Sequence, residues 1–495
     1  MKRYLICLLF GSHCSTVIYS QNNAIQEYNK FKQKAQQDYE DFRQQCNAKY
    51  AEFLKTAWCS YEQGPVIPKP KDEKRPPVIM SKEDREKAVV PKPVTIDDVL
   101  SPVQKEPQPV PISPIHENHA AEESVLKFTF FGTEGCVRIP HVIPIEVSIL
   151  DTQLSGKTMA KAWEVLSDGS FDNLIRDCLA LRIKHKLCDW AYILMLRELT
   201  EAQFKGRCNA ATMMTAWIYC QSGYQMRLAL SQSKLYLLIG SEHHIYDWPY
   251  FTIDTKYFYP FLHKEEQIEQ RLSICGASLP KEQPLSLYIN EPQLLTSKAS
   301  KERVIKSPEP QSTRATAIVN ENLIGFYNTY PTSMIGDDVC TRWAMYANTP
   351  MEEDVKRLLY PQLRKSVQGK SQLDAANILL NWVQTGFVYE YDDKVWGGDR
   401  AFFAEETLYY PYCDCEDRSI LFTRLIRDLL HLDCILVYYP GHLAAAVCFT
   451  EVVNGDYIDI GNRHFVITDP TYIGAPVGLT MPDMNNKTAK VILLE

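Results

Sequence analysis

Two stretches of the chain carry the same order of secondary-structure patterns, and this repetition limits the folds open to it. Residues 223–234 align without a gap against residues 431–442, where a helical pattern gives way to strand patterns. The preceding helix opens near Cys208 in one half and near Cys415 in the other. This order predicts a duplicated domain built from a helix followed by strands. Two unrelated helix-plus-sheet domains are the alternative.

Changes in composition set the expected domain boundaries. Residues 61–123 hold 12 of the 29 prolines, interleaved with charged residues. Such a segment buries little apolar surface, so we expect an extended, semi-rigid linker. A second polar stretch, residues 296–314, is predicted to join a domain at 124–295 to a domain at 315–495.

The N-terminal residues read as a targeting signal followed by a helix. Lys2 and Arg3 precede a short apolar run, which predicts a signal peptide over residues 1–20 and a secreted or periplasmic protein. Residues 21–60 form an amphipathic helical pattern with aromatic residues at three- and four-residue steps. We expect this helix to dock on a domain or to self-associate through residues 24–60. No later segment is apolar enough to be transmembrane.

Charge and cysteine content narrow the classes of function. The net charge is −8 and there is no long basic stripe, which argues against a nucleic-acid partner. Of 15 cysteines, Cys7 and Cys14 lie within the predicted signal, which leaves an odd number. In an oxidising compartment at least one thiol would then stay unpaired within the monomer, either as a buried residue or as a nucleophile.

Cys415 lies where a helical pattern begins, and two further residues complete a catalytic pattern. A thiol at a helix N-terminus lies near the positive end of the helix dipole, which favours the nucleophilic thiolate. Asp414 is a suitable capping residue. His442 opens an apolar strand 27 residues later, and Asp469 ends another strand after a further 27 residues. A thiol, an imidazole and a carboxylate suit the roles of nucleophile, general base and orienting acid, in that order.

These residues resemble a known family of thiol enzymes. Asp414–Asp417 opening a helix, Pro440–His442 opening a strand, and Thr468–Tyr472 closing the next strand resemble the transglutaminase-like family of papain-like enzymes. The resemblance covers about residues 370–475. It implies an α+β fold of two tandem transglutaminase-like domains, each with a cysteine-bearing helix packed on an antiparallel sheet, after the N-terminal helix and proline-rich linker.

The resemblance also implies roles for individual residues. Cys415 would be the nucleophile, His442 the general base and then acid, and Asp469 the orienting group. The backbone N–H of Cys415 is the natural first donor to the oxyanion of the intermediate. Candidates for a second donor are Gln384, Tyr389, Tyr391 and Trp396.

Cys413 departs from the family pattern, which commonly has glycine at this position. It is an alternative nucleophile, a disulfide partner of Cys415, or a bystander. A metal site formed by Cys413, Cys415, Cys434 and Cys448 lacks a second cysteine pair at zinc-like spacing. We therefore predict neither a metal nor a cofactor.

The first copy has lost part of the pattern. The gapless match places Lys234 where the second copy has histidine, while Cys208 and Asp254 remain as the presumed partners. A protonated lysine cannot accept a thiol proton at neutral pH. We therefore expect this copy to be inert, unless His243 or His244 serves as the base.

Together these features predict a thiol enzyme that attacks an amide carbonyl of a protein or peptide through an acyl-enzyme. Hydrolysis, as in a protease or amidase, is favoured over transfer to an amine. The alternative is a non-catalytic binding scaffold of two inert domains.

Overall fold

The computed structural model describes residues 4–71, 73–86, 92–97, 99–102, 109–119, 122–206, 208–264, 266–308, 313–336 and 338–495, with the backbone alone for residues 4–26, 85 and 86. The α-helices are α1 (Tyr4–Thr56), α2 (Lys82–Glu86), α3 (Ile145–Ser148), α4 (Gly156–Leu166), α5 (Asp172–Lys184), α6 (Asp189–Phe204), α7 (Asn209–Gln221), α8 (Glu321–Tyr327), α9 (Arg342–Asn348), α10 (Glu353–Val367), α11 (Gln372–Gly386), α12 (Asp392–Val395), α13 (Ala404–Tyr409) and α14 (Cys415–Leu430). The strands are β1 (Trp58–Glu62), β2 (Val78–Ile79), β3 (Pro93–Thr95), β4 (Val99–Leu100), β5 (Glu123–Phe130), β6 (Thr133–Pro140), β7 (Met226–Ser231), β8 (Lys234–Ser241), β9 (His243–Ile245), β10 (Phe251–Ile253), β11 (Lys256–Pro260), β12 (Arg271–Cys275), β13 (Arg303–Lys306), β14 (Arg314–Ala317), β15 (Ser333–Ile335), β16 (Val388–Tyr389), β17 (Tyr412–Cys413), β18 (Asp433–Tyr439), β19 (His442–Cys448), β20 (Tyr457–Ile460), β21 (Arg463–Thr468), β22 (Tyr472–Ile473) and β23 (Lys490–Leu493).

Two large sheets organise the chain, and their central strands follow the same path. The first sheet has the order β1-β12-β7-β8-β11-β10, and the second has β3-β20-β21-β19-β18-β23-β4. In the second sheet, the strands that follow helix α14 lie in the order β23-β18-β19-β21-β20. This order corresponds, strand by strand, to β12-β7-β8-β11-β10 after helix α7 in the first sheet. The pairings among these central strands are antiparallel. The predicted α+β class with antiparallel sheets is confirmed.

The hairpin after each helix fixes which residues correspond between the halves. Ser231 pairs with Lys234 at the end of the β7–β8 hairpin, and Tyr439 pairs with His442 at the end of the β18–β19 hairpin. Each pair encloses a two-residue turn. Lys234 and His442 therefore occupy equivalent positions.

Helix α14 is held against the second sheet by its buried apolar residues and by one side-chain hydrogen bond. Its buried apolar residues recur at helical spacing and face the core, because a helix on a sheet must bury one stripe. The Ser419 hydroxyl donates to the Leu443 carbonyl oxygen at 2.9 Å, which fixes the helix against the start of β19. The helix ends at His431, whose φ of 56° is the left-handed conformation common at helix C-termini.

The proline-rich segment, predicted to be an extended, semi-rigid linker, is docked on both halves. Strand β1 extends the first sheet beside β12. Strands β3 and β4 pair with β20 and β23 at opposite edges of the second sheet, and β2 pairs with β22. Proline is tolerated here because an edge strand leaves one row of backbone N–H groups unpaired. The segment is therefore a strap across the molecule.

The predicted boundary at residues 296–314 is also packed structure. Strands β13 and β14 form a hairpin on α10 and α11, and the indole N–H of Trp382 donates to the Ile305 carbonyl oxygen at 3.2 Å. Strand β15, from the second half, pairs with β9 of the first half. One continuous hydrophobic core extends through both halves.

Helix α1 covers both the predicted signal peptide and the predicted amphipathic helix. Its C-terminal part docks on the first half, where Tyr50, Ala51 and Leu54 are buried and Arg43 pairs with Asp172 at 2.5 Å. The side chains of the predicted signal, residues 1–20, lie outside the described residues. Further along the helix, exposed aromatic residues are Tyr28, Phe31, Tyr39 and Phe42. No helix within the described ranges is long and apolar enough to span a bilayer.

Candidate active site

Cys415 is the first residue of α14, and its thiol is buried. The side chain is 1% exposed, and the thiol donates to Oε2 of Glu416 at 3.2 Å. Burial raises the pKa of the Cys415 thiol well above its usual range, and the carboxylates of Glu416 and Asp414 raise it further. The Lys74 ammonium and the backbone N–H of Leu443, which hydrogen-bonds to the sulfur, act in the opposite direction. The thiol is therefore protonated in this structure.

His442 and Asp469 form a buried pair beside the thiol. The imidazole Nε2 lies 2.8 Å from Oδ2 of Asp469. The other oxygen, Oδ1, accepts hydrogen bonds from the backbone N–H groups of Thr471 (2.8 Å) and Tyr472 (3.2 Å). A carboxylate only accepts, so Nε2 carries the proton and Nδ1 keeps a lone pair. That tautomer is the one that a general base requires.

Nδ1 of His442 is buried and has no hydrogen-bond partner among the described residues. The sulfur of Cys415 lies next to this residue along β19, at the N–H of Leu443. The expected hydrogen bond between sulfur and imidazole is not formed, because the thiol donates to Glu416 instead. The thiol therefore lies at the residue that follows His442 but is turned to the carboxylate of Glu416.

Gln384 holds the loop that carries Asp469. Its amide nitrogen donates to the carbonyl oxygens of Asp469 (3.0 Å), Tyr472 (2.7 Å) and Ala475 (3.1 Å). Its amide oxygen accepts from the backbone N–H of Gly474 at 3.0 Å. Both amide hydrogens are engaged, so the prediction that Gln384 donates to an oxyanion is wrong. Its contacts position the Asp469 carboxylate.

Tyr389 lies nearest the thiol among the other oxyanion candidates. Its hydroxyl donates to the Arg75 carbonyl oxygen at 3.3 Å, and its ring lies 5.3 Å from the Arg418 guanidinium. Burial raises the pKa of Tyr389, and a Cys415 thiolate and the carboxylates of Asp414 and Glu416 would raise it further. A neutral hydroxyl of this kind is a suitable donor.

Tyr391 and Trp396 serve as packing residues. The Tyr391 ring meets the Tyr389 ring edge-on at 5.5 Å. Trp396 contacts the rings of Phe402 at 5.6 Å and Tyr410 at 4.7 Å. These contacts place both side chains in the wall that surrounds the site.

An acidic pocket adjoins the thiol, formed by Asp392, Asp399, Asp414 and Glu416. The Lys74 Nζ lies 2.8 Å from Oδ2 of Asp414 and 2.9 Å from Oδ1 of Asp399, and it also contacts Oε1 of Glu416. Burial raises the pKa of Asp392 to about 7 and also raises those of Asp399 and Asp414. Burial would raise that of Glu416 too, but the Lys74 ammonium outweighs it, so its pKa is lowered.

Sequence reasoning treated Asp414 and Glu416 only as helix-terminal residues and missed the rest of this pocket. Ligand atoms of Asp392, Asp399 and Glu416 lie within 4.8 Å of one another, a spacing that also suits a metal ion. In this structure an ammonium contacts the pocket. Asp392 and Asp399 precede Cys415 in the same region of the sequence and could have been considered as its neighbours. Lys74 could not, because it lies 340 residues from Asp414 along the chain.

The cysteine alternatives also have defined places. Cys413 is buried on β17, its sulfur lies 3.9 Å from the Val388 carbonyl oxygen, and burial raises its pKa to about 11. Cys413 and Cys415 are both free thiols, not a disulfide. The sulfur of Cys434 faces the Leu432 carbonyl oxygen at 3.8 Å, beyond the far end of α14. The four cysteines considered for a metal therefore do not form a cluster among the described residues.

In the first half, Asn209 occupies the place that Cys415 has in the second. The Asn209 amide oxygen accepts from the backbone N–H of Leu235 at 2.9 Å, and Leu235 follows Lys234 as Leu443 follows His442. Cys208 is the N-cap residue, one position earlier. The predicted equivalence of Cys208 and Cys415 is therefore offset by one residue.

The acid of the first half is also displaced. In the second half Thr468 pairs with the third residue after His442, and in the first half the Phe261 N–H bonds to the third residue after Lys234. Leu262, which follows Phe261, is thus the residue that corresponds to Asp469.

Asp254 lies elsewhere than predicted. It forms the tight turn between β10 and β11 with a φ of 48°, and it is exposed. The order of strand patterns along the chain had suggested its match to Asp469. The correction follows because strand pairing, not order along the chain, fixes position in a sheet.

Neither histidine considered as a substitute base belongs to this place. Nε2 of His243 accepts from the backbone N–H of Leu287 at 3.2 Å, and burial lowers its pKa to about 4. His244 packs against the Tyr257 ring. Cys208 and Lys234 instead line a cavity of about 560 Å³, where Lys234 pairs with Glu266 at 2.5 Å.

Comparison with known proteins does not add to these observations. No protein-family model matches the chain, and neither a curated protein nor a solved structure shows significant similarity to it. A functional assignment therefore depends on the geometry of the site.

Proposed function

We propose that the chain is a thiol-dependent amide hydrolase of the transglutaminase-like type, with Cys415 as nucleophile, His442 as base and Asp469 as orienting acid. The observation that carries the proposal is the buried imidazole, which is fixed by Asp469 through Nε2 and keeps Nδ1 unpartnered next to a helix-terminal thiol. With no partner among the described residues, this nitrogen is free to take the proton of the Cys415 thiol.

The reaction follows from these positions. The thiol of Cys415 turns from Glu416 to Nδ1 of His442, which takes its proton, and the sulfur bonds to the amide carbon. The carbonyl electrons move to oxygen, where the backbone N–H of Cys415 is the first donor and the Tyr389 hydroxyl is the second once the Arg75 carbonyl oxygen of the strap has left it. Collapse breaks the carbon–nitrogen bond, and the imidazolium gives its proton to the leaving amine.

Water completes the cycle. Nδ1 of His442 removes a proton from water as its oxygen bonds to the thioester carbon. Collapse then breaks the carbon–sulfur bond and releases a carboxylic acid, and the imidazolium returns its proton to the Cys415 sulfur. Asp469 stabilises the imidazolium in both halves of the reaction without taking its proton.

The acidic pocket favours hydrolysis over transfer to a lysine amine. Burial lowers the pKa of Lys74, but the carboxylates of Glu416 and Asp414 outweigh it and raise that pKa well above its usual value. An amine in this pocket stays an ammonium and has no lone pair with which to attack a thioester. An amine acceptor would therefore need another approach to the sulfur.

The rival function, a non-catalytic scaffold, is supported by the first half. There the three positions hold Asn209, Lys234 and Leu262, which cannot perform the chemistry. The protonated, covered thiol of the second half would, in that case, be structural.

An activated ester distinguishes the two functions. With p-nitrophenyl acetate in the full chain and in its Gly441→Ala variant, whose added Cβ should displace the strap backbone while Lys74 is kept, the proposal predicts a burst of one nitrophenolate per chain in at least the variant. Cys415→Ala, made in the same variant, should abolish the burst, while the matched change Cys413→Ala should leave it. A burst that survives Cys415→Ala, or that is missing from both parent proteins, would remove the hydrolase proposal.

A further inference from the structure

We propose that the acidic pocket beside Cys415 recognises a lysine side chain of an extended peptide, and that Lys74 of the strap fills this place in the structure. The inference rests on the proposed function and adds the class of substrate. Three observations carry it: the ammonium contacts, the path of the strap, and an unsatisfied acceptor in the pocket.

The contacts of Lys74 match an ammonium group. Its Nζ meets one oxygen each of Asp399, Asp414 and Glu416, and these residues come from the loop before α13, the N-cap of α14 and its first turn. The ammonium donates hydrogen bonds to Asp414 and Glu416, and the Asp399 oxygen lies within ion-pair distance at 2.9 Å. The Lys74 side chain is only 11% exposed, and such burial of a charge requires paired acceptors.

The strap lies across the site as an extended peptide. The backbone N–H of Arg75 donates to the Gly441 carbonyl oxygen at 2.9 Å, directly before His442. Gly441 has a φ of 76°, and an added Cβ would collide with the Glu73 carbonyl oxygen. A few residues later, β2 pairs with β22 just beyond Asp469. Backbone pairing with a pocket for one side chain is a common mode of peptide recognition.

The pocket retains an acceptor that Lys74 does not satisfy. Oδ1 of Asp414 is buried and has no partner among the described residues, although the side chain is fully buried. Besides Lys74, two cations lie at Asp399: the Arg342 guanidinium, 3.8 Å from its carboxylate, and the Lys69 ammonium, which donates to its backbone carbonyl oxygen. An excess of buried acceptors over donors favours a cationic ligand with several hydrogens.

The pocket is coupled to the reacting sulfur through one side chain. Glu416 accepts from the Lys74 ammonium through Oε1 and from the Cys415 thiol through Oε2. A bound cation therefore draws negative charge away from the sulfur and favours thiolate there. A peptide with lysine near its scissile amide would bring that cation with it, once the strap has left.

Removal of Lys74 gives a direct test by chemical rescue. Lys74→Ala should leave a cavity with the shape of the alkyl chain and carboxylates at its end. We expect n-butylammonium to raise the Tm of this variant by several degrees at millimolar concentration, and the uncharged n-butanol to have no such effect. Lys71→Ala, a change at an exposed lysine of the same strap, is the matched control and should not respond. If Lys74→Ala does not fold, Lys74→Gly offers a second cavity for the same two ligands and for the peptide measurement below.

Peptide binding tests the substrate class. A fluorescent peptide with the sequence Glu-Lys-Arg-Pro should bind Lys74→Ala/Cys415→Ala, by anisotropy, at least tenfold more tightly than the same peptide with norleucine in place of lysine. Changing Glu416 to Gln in that protein should remove most of the difference. Lys74→Met/Cys415→Ala should behave like the wild-type chain, because its side chain still fills the pocket.

The outcomes separate this inference from the proposed function, because the binding measurement uses a chain without the nucleophile. Binding of the lysine peptide without an ester burst in the chain that retains Cys415 would keep the recognition site and remove the hydrolase. Equal binding of both peptides, or rescue of Lys74→Ala by Ca²⁺ but not by butylammonium, would overturn the lysine site.

Discussion

Replacing Asp469 with asparagine should reverse the tautomer of His442 while leaving the site folded. The carboxylate accepts two backbone hydrogen bonds through Oδ1 and the imidazole N–H through Oδ2. In Asp469→Asn the amide oxygen should take the position of Oδ1 and keep its two backbone hydrogen bonds. An NH₂ group in that position would face the two backbone N–H groups, which also need an acceptor. The amide NH₂ then points at Nε2, which must accept, so the proton moves to Nδ1.

A histidine protonated at Nδ1 cannot take the proton of the Cys415 thiol. Loss of the correct tautomer in such a triad costs about 10⁴ in rate, or about 5.5 kcal/mol of transition-state stabilisation. The assay is the rate constant of the nitrophenolate burst, measured in the parent that shows it. Near-ultraviolet circular dichroism of the same samples checks that the fold is unchanged.

The matched control is Asp459→Asn. Asp459 also contacts a histidine, His464, but that pair lies at the surface of the second sheet. We expect its burst rate to stay within twofold of the parent. If Asp469→Asn also stays within about tenfold while keeping its fold, Asp469 does not set the tautomer, and the assigned mechanism fails.

Three further predictions concern the supports of the site. Gln384→Ala should lower the free energy of unfolding by about 2–4 kcal/mol, since it leaves several buried loop groups unsatisfied, and a urea titration that finds less than 0.5 kcal/mol would contradict the role given to this amide. Gly441→Ala should release the strap and speed iodoacetamide labelling of Cys415, as followed by mass spectrometry, because its Cβ collides with the strap backbone at a positive φ that costs about 1–3 kcal/mol; unchanged labelling would show that the strap does not limit access. Glu405→Gln should flatten the fall in stability with pH: burial raises the pKa of Glu405 to about 7, so its contribution is present below the unfolded value of about 4.3 and is lost as pH rises through about 7, by up to about 3.7 kcal/mol. A steeper fall in Tm for this variant between pH 5 and 8 would have the wrong sign.

Local patterns located much of the candidate site. The helix begins at Cys415, the strand begins at His442, and Asp469 directly follows a strand, in agreement with the periodicity and capping signals. The gapless alignment also correctly assigned Lys234 to the position that His442 occupies in the second half, because the two hairpins have turns of equal length. Each of these features depends on residues that are close in sequence.

Errors arose where position depends on pairing between distant segments. Asp254 was matched to Asp469 by the order of strand patterns along the chain, whereas the strand register assigns Leu262 to that place. Cys208 was matched to Cys415, but one residue of offset at the helix start puts Asn209 there. Single-residue offsets of this kind leave the apolar periodicity intact, so the sequence carries no sign of them.

The amino-acid sequence by itself determined the α+β class, the order of helices and strands, and the place of Cys415, His442 and Asp469 on those elements, because hydrophobic periodicity and capping are local properties. Only the tertiary structure decided that the proline-rich segment is a strap, that Lys74 enters the acidic pocket, and that the thiol faces Glu416. An extended strand gains its stability from partners far along the chain, and these partners leave no periodic signal in its own residues.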